Sequence, residues 1–568
     1  MSDLLERAKS WIDADPDPET RSELIQLVES GAVDELERRM GESLTFGTAG
    51  IRGVVGAGSS RMNRAVVIRT THGLLQHLID SNDGVPDAPV IVGFDARPTS
   101  RQFAEDTASV LAAAGARVRY FPEVTPTPLV AFAAKRYGAA AAVVVTASHN
   151  PPADNGYKVY GPDAAQIVSP VDEMIQQAIE DAPPAGDIPR LDGAFSGASD
   201  LVTPVGEDIT DLYWEEIETI RSRTEGSDLK IVYTPIHGVG LRVFTEVMQR
   251  AGHMRIVPVT QQAQPDGHFP TVAFPNPEEE GALDLAVSLA GERNADLIIA
   301  NDPDADRLAV VIPDAGTWRA LTGNEIGVLL GDYVLSGLED PTRAVVANSI
   351  VSSPMLADIA ASYGSAHTET LTGFKWIVRA GMALAAEVNG VFAFGYEEAL
   401  GYTVGEVVRD KDGISAALVF TDLVADLADQ RLTVVDRLDQ LWSRHGLWVS
   451  AQVSLTRSGP EGLHDIQRAI ESLGDNPPAR IGESEIAEVV DYRVGEEQRR
   501  PWLGAQQLIA LHLTDGGRVL VRPSGTEPKL KIYVDLKGVA GADPRAEQAR
   551  LTVAASQLGE GLAGQLDI

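Results

Sequence analysis

Four short stretches of this chain place reactive or charged side chains just beyond apolar runs, and each points to a different piece of chemistry. Residues 140–161 (AAAVVVTASHNPPADNGYKVYG) deliver Ser148 from an apolar strand into a loop stiffened by Pro151 and Pro152. Asp154, Asn155 and Gly156 read as a hairpin-type turn that returns Tyr157 and Lys158 toward the strand end. A serine hydroxyl is a weak nucleophile unless a base or cation assists it, and Lys158 or His149 can supply that help. A single serine in a polar turn is ordinarily a cap; a run of Ser, His, Asn, Pro, Pro and a returning Lys has no such ordinary reading.

In residues 295–311 (ADLIIANDPDADRLAVV) the apolar strand 297–300 ends in Asp302, Asp304 and Asp306, followed by Arg307. Three carboxylates within five residues repel one another unless a cation lies among them, and an all-oxygen donor set with room for water and phosphate suits Mg²⁺. An EF-hand is excluded, because its sixth position would be Arg307 and its twelfth Pro313. Residues 390–402 (GVFAFGYEEALGY) set Glu397 and Glu398 after a strand, as acceptors for sugar hydroxyls or as helix N-terminal acids. Lys375 in TLTGFKWI is equally open. In residues 517–534 (GRVLVRPSGTEPKLKIYV) the loop of Arg522, Ser524, Gly525 and Thr526 gathers amides and hydroxyls beside a guanidinium, which suits a phosphate dianion. FGTAGIRGVVG, with Arg52, also has the look of an anion site, but it lacks the preceding strand of a dinucleotide fingerprint.

The elements that must position these loops repeat. Residues 88–121, 229–259 and 342–371 each run as apolar strand, polar turn, amphipathic helix and second strand. Three such βαβ units predict three related α/β domains with mostly parallel sheets. The last stretch differs: LWVSAQVSLT, QLIALHLTDGGRVLVR and KLKIYVDLK read as strands, with helices around 464–473 and 544–558, a smaller α+β domain. The first forty residues read as helices, one capped by Asp15 or Asp17 and ending at Gly31, another over 33–40. The expected divisions are a helical extension 1–40 and domains 41–205, 206–315, 316–446 and 447–568, which carry the serine, aspartate, glutamate and arginine loops in turn.

Composition narrows the partners. A length of 568 residues exceeds what one hydrophobic core serves. A formal charge of −35 repels nucleic acid and anionic membranes. Only nine lysines occur, and Lys158, Lys375, Lys411, Lys529 and Lys531 are among them, at or near these motifs. With no cysteine, disulfides, thiolate catalysis and Cys-ligated metals are excluded. The charged N-terminal stretch has no apolar core of a secretory signal, so a cytoplasmic protein is expected.

With these residues laid out, the chain resembles the α-D-phosphohexomutase family, which includes phosphoglucomutases and phosphomannomutases. TASHNPPADNGYK is similar to its phosphoserine loop, DPDADR to its metal loop, GYEEALGY to its sugar loop and RPSGTEP to its phosphate loop, in the family's order. The resemblance implies four domains around a central cleft. It implies Ser148 as the phosphorylated residue, Lys158 as general acid/base and Arg52 beside the transferring phosphoryl. Asp302, Asp304, Asp306 and a phosphoserine oxygen would hold Mg²⁺, with Arg307 in the same region. Glu397 would bind sugar hydroxyls, and Arg522, Ser524 and Thr526 the phosphate that is not transferred.

The implied reaction interconverts a hexose 1-phosphate and 6-phosphate, glucose first and mannose second, through a sugar 1,6-bisphosphate that also serves as activator. Ala399 stands where many members have serine and Tyr402 where the bacterial phosphomannomutase branch has histidine, and GYEEALGY and TGFKWI are more similar to the branch that includes mixed phosphoglucomutases, phosphopentomutases and glucose-1,6-bisphosphate synthases. A monomer or homodimer is expected. Two rivals from other classes are an aspartate-nucleophile phosphatase using Asp302 and Asp304, and a non-catalytic sugar-phosphate sensor; each leaves some of the loops without a role.

Overall fold

The computed structural model describes residues 2–47, 50–457, 459–523, 529–539 and 543–566. The chain forms two compact units, residues 1–320 with 406–419, and residues 321–405 with 420–568.

The first unit opens with helices α1 (Ser2–Ala14), α2 (Pro18–Ser30) and α3 (Val33–Met40). Asp17 caps α2 by accepting the Glu19 amide, Pro18 occupies the first turn, and Gly31 closes the helix at φ 65°. Leu4, Ala8, Leu24, Leu36 and Met40 bury against one another and against Ala57. The first sheet holds β1 (Ile51–Val54), β2 (Val90–Phe94), β3 (Val118–Tyr120), β4 (Ala141–Val145), β5 (Asp154–Tyr160) and β6 (Val202–Pro204), in the order β1-β5-β4-β2-β3-β6. Strands β2 and β4 are buried at every residue, which is why they are written as unbroken apolar runs: helices cover both faces of a parallel core. The second sheet holds β7 (Ile231–Thr234), β8 (Ile256–Pro258), β9 (Leu297–Ala300), β10 (Ala309–Asp314) and β11 (Thr317–Ala320), ordered β11-β10-β9-β7-β8.

The second unit contains β12 (Ala344–Ser349), β13 (Ala366–Thr370), β14 (Val391–Glu397) and β15 (Gly401–Val404), ordered β13-β12-β14-β15. A last, antiparallel sheet is built from β16 (Trp448–Thr456), β17 (Arg480–Ile481), β18 (Ser484–Asp491), β19 (Ile509–Leu513), β20 (Arg518–Pro523) and β21 (Lys529–Lys537), with the helix Pro544–Gln565 on β16 and β21. Ile350, Val351 and Leu371 share a buried cluster with Tyr492, Leu508, Leu520 and Tyr533, so these two sheets pack as one body.

Three of the four sheets repeat one pattern. In β3-β2-β4-β5, β8-β7-β9-β10 and β13-β12-β14-β15, two parallel pairings are followed by one antiparallel pairing. The antiparallel pair forces a sharp reversal beyond the carboxyl end of a buried strand, where ligands of open α/β sheets collect. Those reversals are residues 146–153, 301–308 and 398–400, the first three candidate loops. The three α/β domains and the α+β unit inferred from periodicity are therefore present, with antiparallel strands edging the parallel cores.

Two local expectations are corrected. Asp154, Asn155 and Gly156 are not a turn but the start of β5, paired residue for residue with β1. Their turn propensity is overridden by that ladder and by the buried Asn155 amide, which donates to Thr99 Oγ1 (2.8 Å) and Ser100 Oγ (3.0 Å). The reversal falls earlier, where Asn150 N donates to Ala147 O and Asp154 N to Pro151 O. Glu397 and Glu398 do not begin a helix; Glu397 ends β14 and pairs with Gly401 across a hairpin. Among the described residues no helix is long and apolar enough to cross a membrane.

Candidate active site

Ser148 stands at the end of β4 with φ 51°, a conformation that costs a non-glycine residue about 1–2 kcal/mol. It is 1% exposed, and its Oγ donates to Asp302 Oδ2 at 2.8 Å and lies 3.0 Å from His149 Nδ1. Burial and the nearby Arg307 and Arg52 hold the His149 imidazole well below its usual range, so it is neutral at physiological pH.

The three aspartates meet Ser148 from the loop after β9. Ala305, at φ 58°, folds the loop so that one oxygen each of Asp302, Asp304 and Asp306 lies within 4.8 Å of the others. The Arg307 amide donates to Asp302 Oδ1 at 3.0 Å, and Thr127 Oγ1 donates to Asp304 Oδ2 at 2.7 Å. Lys158, returned by β5 opposite Val144 of β4, places Nζ 2.6 Å from Asp304 Oδ2 and 2.9 Å from Asp306 Oδ2. Lys411 Nζ lies 3.2 Å from Asp306 Oδ2.

The electrostatics follow from burial. Burial and the two neighbouring carboxylates push Asp302 well above the usual carboxylate range. Burial opposes ionisation of Asp304 too, but Lys158, Asp302 and Thr127 more than offset it and hold Asp304 low. Lys158 keeps its proton, because Asp304 and Asp306 outweigh its own burial. Even so, Asp304 Oδ1 and Asp306 Oδ1 are buried without a hydrogen-bond partner. Anionic oxygens in that condition are costly unless a cation joins them. Hard carboxylate oxygens with two lone sites unfilled fit Mg²⁺.

Arg52, on β1, lies across the ladder from Gly156 of β5. A Cβ at Gly156 would stand 2.5 Å from Thr146 O and 2.9 Å from Arg52 Cγ, so the close approach of the two strands requires glycine. Arg52 Nε is buried without a partner, and Asp304 and Asp306 counter the burial that lowers its pKa. Arg307 reaches His149 Nε2 and Glu278 Oε2, both at 3.4 Å.

The second unit presents the other candidates. Glu397 Oε1 accepts the Gly373 amide at 3.2 Å, at the start of the helix that carries Lys375. Lys375 lies 5.7 Å from the centre of the Trp376 ring. Glu398 Oε2 accepts from Ser349 Oγ (3.0 Å) and Ser352 Oγ (3.2 Å), while Ser352 Oγ also accepts the Glu398 amide. Burial and Glu397 raise the Glu398 carboxyl to about 7, against the opposing charge of Arg522. Arg522 is half-buried near the end of β20. Ser524, Gly525 and Thr526 lie outside the described residues. Tyr402 is fully buried and donates to Gly323 O, which gives it a packing role.

Ser148, His149, Lys158, Arg52, the aspartates and Arg307 thus converge in one unit, and Glu397, Lys375 and Arg522 belong to the other. Sequence reasoning missed Thr127, for which TPTP carries no signal. It singled out Lys411 among the five scarce lysines at or near the motifs but gave it no role.

The comparisons with known proteins agree along the chain. Family models described as phosphoglucomutase/phosphomannomutase α/β/α domains I, II and III match residues 43–185, 211–316 and 322–445, and the C-terminal domain model matches 485–548. A protein of Haemophilus influenzae named "Probable phosphomannomutase" is 43% identical over 84% of this chain and 93% of its own length. The human phosphopentomutase is 34% identical over 98% of this chain and 95% of its own. The open-form crystal structure of Paramecium parafusin, a phosphoglucomutase, superposes with a TM-score of 0.69 at 18% identity, covering 93% of this chain and 96% of that one.

Proposed function

The chain belongs to the phosphoglucomutase/phosphomannomutase family, and from that premise we propose that this phosphosugar mutase carries its phosphoryl group on Ser148 and interconverts a hexose 1-phosphate and 6-phosphate, glucose first and mannose second. The observation that carries the reading is the Ser148 hydroxyl held 2.8 Å from Asp302, beside two buried carboxylates with unfilled oxygens and a protonated Lys158.

In this reading Asp302, Asp304 and Asp306 hold Mg²⁺, which when bound supplies positive charge next to a phosphoryl group. A phosphoserine dianion and a divalent cation bring equal and opposite charge, so each offsets the other when both are bound. Arg52 and Arg307, whose charges act on His149 beside Ser148, stabilise charge spread over the transferring oxygens. Lys158, buried and protonated, donates to or accepts from the sugar oxygen that loses or gains the phosphoryl. His149, neutral, orients the serine oxygen. Glu397 takes sugar hydroxyls, Lys375 binds the substrate as well, and Arg522, with Ser524, Gly525 and Thr526, takes the phosphate that stays. Ser148 gives its phosphoryl to the sugar monophosphate and regains one from the other end of the sugar 1,6-bisphosphate. No water is consumed.

A second reading, exchange between pentose 1- and 5-phosphates, is favoured by two observations. By the resemblance, Ala399 stands where many family members have a serine that helps bind the sugar, and the human phosphopentomutase aligns with nearly the whole chain. A panel of glucose, mannose and ribose 1-phosphates, with mass spectrometry for phosphate on Ser148, tests both. Turnover with none of the three, or an active enzyme never phosphorylated on Ser148, overturns the proposal. Domain boundaries near 41, 206, 316 and 447 are proposed as well. The family models begin close to the first three, and β16 (Trp448–Thr456) joins the last sheet well ahead of the fourth match at 485.

A further inference from the structure

Ser148 is held in its left-handed conformation by a bracket from the neighbouring strand. Asp95 and Arg97 follow β2, which runs parallel to β4. The Arg97 side chain is 1% exposed and spends its guanidinium on the backbone of the serine loop. Nη2 donates to Ser148 O (2.8 Å) and Asn150 O (2.7 Å), and Nη1 to Pro151 O (2.7 Å) and Asp154 O (2.8 Å). Nε donates to Asp95 Oδ2 at 3.2 Å. That oxygen also accepts from Thr146 Oγ1 (2.7 Å), which itself accepts the Ser148 amide (2.8 Å). The circuit therefore closes on Asp95, gripping both the amide and the carbonyl of the residue at φ 51°.

A second loop braces the bracket from below. The ring of Phe269, buried and itself at φ 47°, lies 5.2 Å from the Arg97 guanidinium. Gly267 passes so close that a Cβ there would stand 2.4 Å from Arg97 Cα. Strained residues persist where their surroundings over-determine them, and here the surroundings are one buried arginine with four carbonyls. Lysine cannot replace it, since an ammonium has no planar fork to span four acceptors.

We infer that Arg97 is the positioning residue of Ser148: it sets the direction of Oγ without touching substrate, and Phe269 keeps it in place. The inference rests on Ser148 being the phosphoryl carrier. A hydroxyl misplaced by a fraction of an ångström transfers slowly yet leaves the sugar and phosphate contacts alone. Arg97→Lys keeps the charge beside Asp95 and is expected to lower kcat by about 10- to 100-fold, with KM within about threefold of wild type. Its phosphoenzyme should also lose the group to water faster, releasing inorganic phosphate and restoring the Ser148 hydroxyl.

Both variants Arg97→Lys and Phe269→Leu are measured, after the thermal midpoint shows which are folded; Phe269→Leu is expected to show the same split at about two- to tenfold. Wild-type kcat in a folded Arg97→Lys, or a loss of kcat matched by an equal loss of affinity, overturns the inference. If Arg97→Lys does not fold, wild-type kcat in Phe269→Leu overturns it instead. Wild-type enzyme and Ser148→Ala are run alongside. An unphosphorylated but active wild type sinks the carrier reading, whereas a phosphorylated wild type with an indistinguishable Arg97→Lys sinks only the positioning role.

Discussion

The region around Ser148 and the region around Glu397 and Arg522 treat charge in opposite ways. Around Ser148, three aspartates, Lys158 and the Arg97–Asp95 pair are almost wholly buried, each carboxylate already holding a proton donor or a cation. Around Glu397 and Arg522 the charged groups are half-buried and lean on neutral partners: the Gly373 amide, the Ser349 and Ser352 hydroxyls. The difference fits the tasks proposed for the two regions. Stabilising charge that appears during phosphoryl transfer works best from dipoles and ions fixed in a low dielectric, where each contact is strong and costs no reorganisation. Recognising a sugar needs groups that can exchange water for hydroxyls, which full burial forbids. Ser352 ties the second region to the last sheet, because its carbonyl accepts Arg518 Nη2 at 2.7 Å while its hydroxyl bonds Glu398.

The sharpest way to break this contrast is Ser148→Ala. Turnover should fall at least about a thousandfold, since no neighbour can carry the phosphoryl. Sugar-phosphate affinity, measured by calorimetry, should stay near wild type if it rests, as proposed, on Glu397 and Arg522. The phosphatase rival expects the reverse, with Ser148→Ala tolerated and Asp302→Asn inactive. In the structure Asp302 Oδ2 already accepts the serine hydroxyl, which speaks against its use as a free nucleophile.

Metal removal comes next. Exhaustive chelation should abolish turnover while the circular-dichroism spectrum is unchanged, because Lys158 and Lys411 still neutralise part of the aspartate charge. Full activity in excess chelator after dialysis would end the metal assignment.

In the recognition region the effects should be smaller. Arg522→Ala removes one charge-assisted contact of roughly 1.5–3 kcal/mol, or about one to two decades in kcat/KM, and in both directions of the reaction. A loss in only one direction would contradict a role in holding the phosphate that stays.

The smallest effect concerns pH. Glu398 titrates at about 7 in the fold against an ordinary value of 4.5. Between those values the unfolded chain releases a proton that the folded chain retains, so stability declines as pH rises through the window and is lowest above about 7. Glu398→Gln should flatten that slope and raise Tm at alkaline pH. A variant with the wild-type pH slope would show that Glu398 ionises as freely in the fold as in the unfolded chain.

Much of the fold was legible because its signals are local. Strand 297–300 was read from a run of apolar residues and is β9 to the residue. The three βαβ units appear where their periodicity predicted. What escaped was non-local or weakly patterned: β17 and β18 are short or alternate charged residues, and the Asp154-Asn155-Gly156 turn signal yielded to a ladder with β1, about a hundred residues earlier. The same holds at the site. Ser148, Lys158 and the aspartates stand out as motifs, whereas Thr127 and Arg97 are ordinary residues until folding sets them against Asp304 and the serine loop.

By itself, then, the sequence determined the residue types that can do the chemistry, the strands that end beside them and the family to which they are similar, since composition and periodicity are written residue by residue. Only the tertiary structure decided that the serine and metal loops share one buried site within a single unit, that Ser148 is strained and gripped at both its amide and its carbonyl, and that Tyr402 belongs to the core. Those outcomes depend on which strand lies beside which and on how much water is left between them, and neither quantity is local to any stretch of chain.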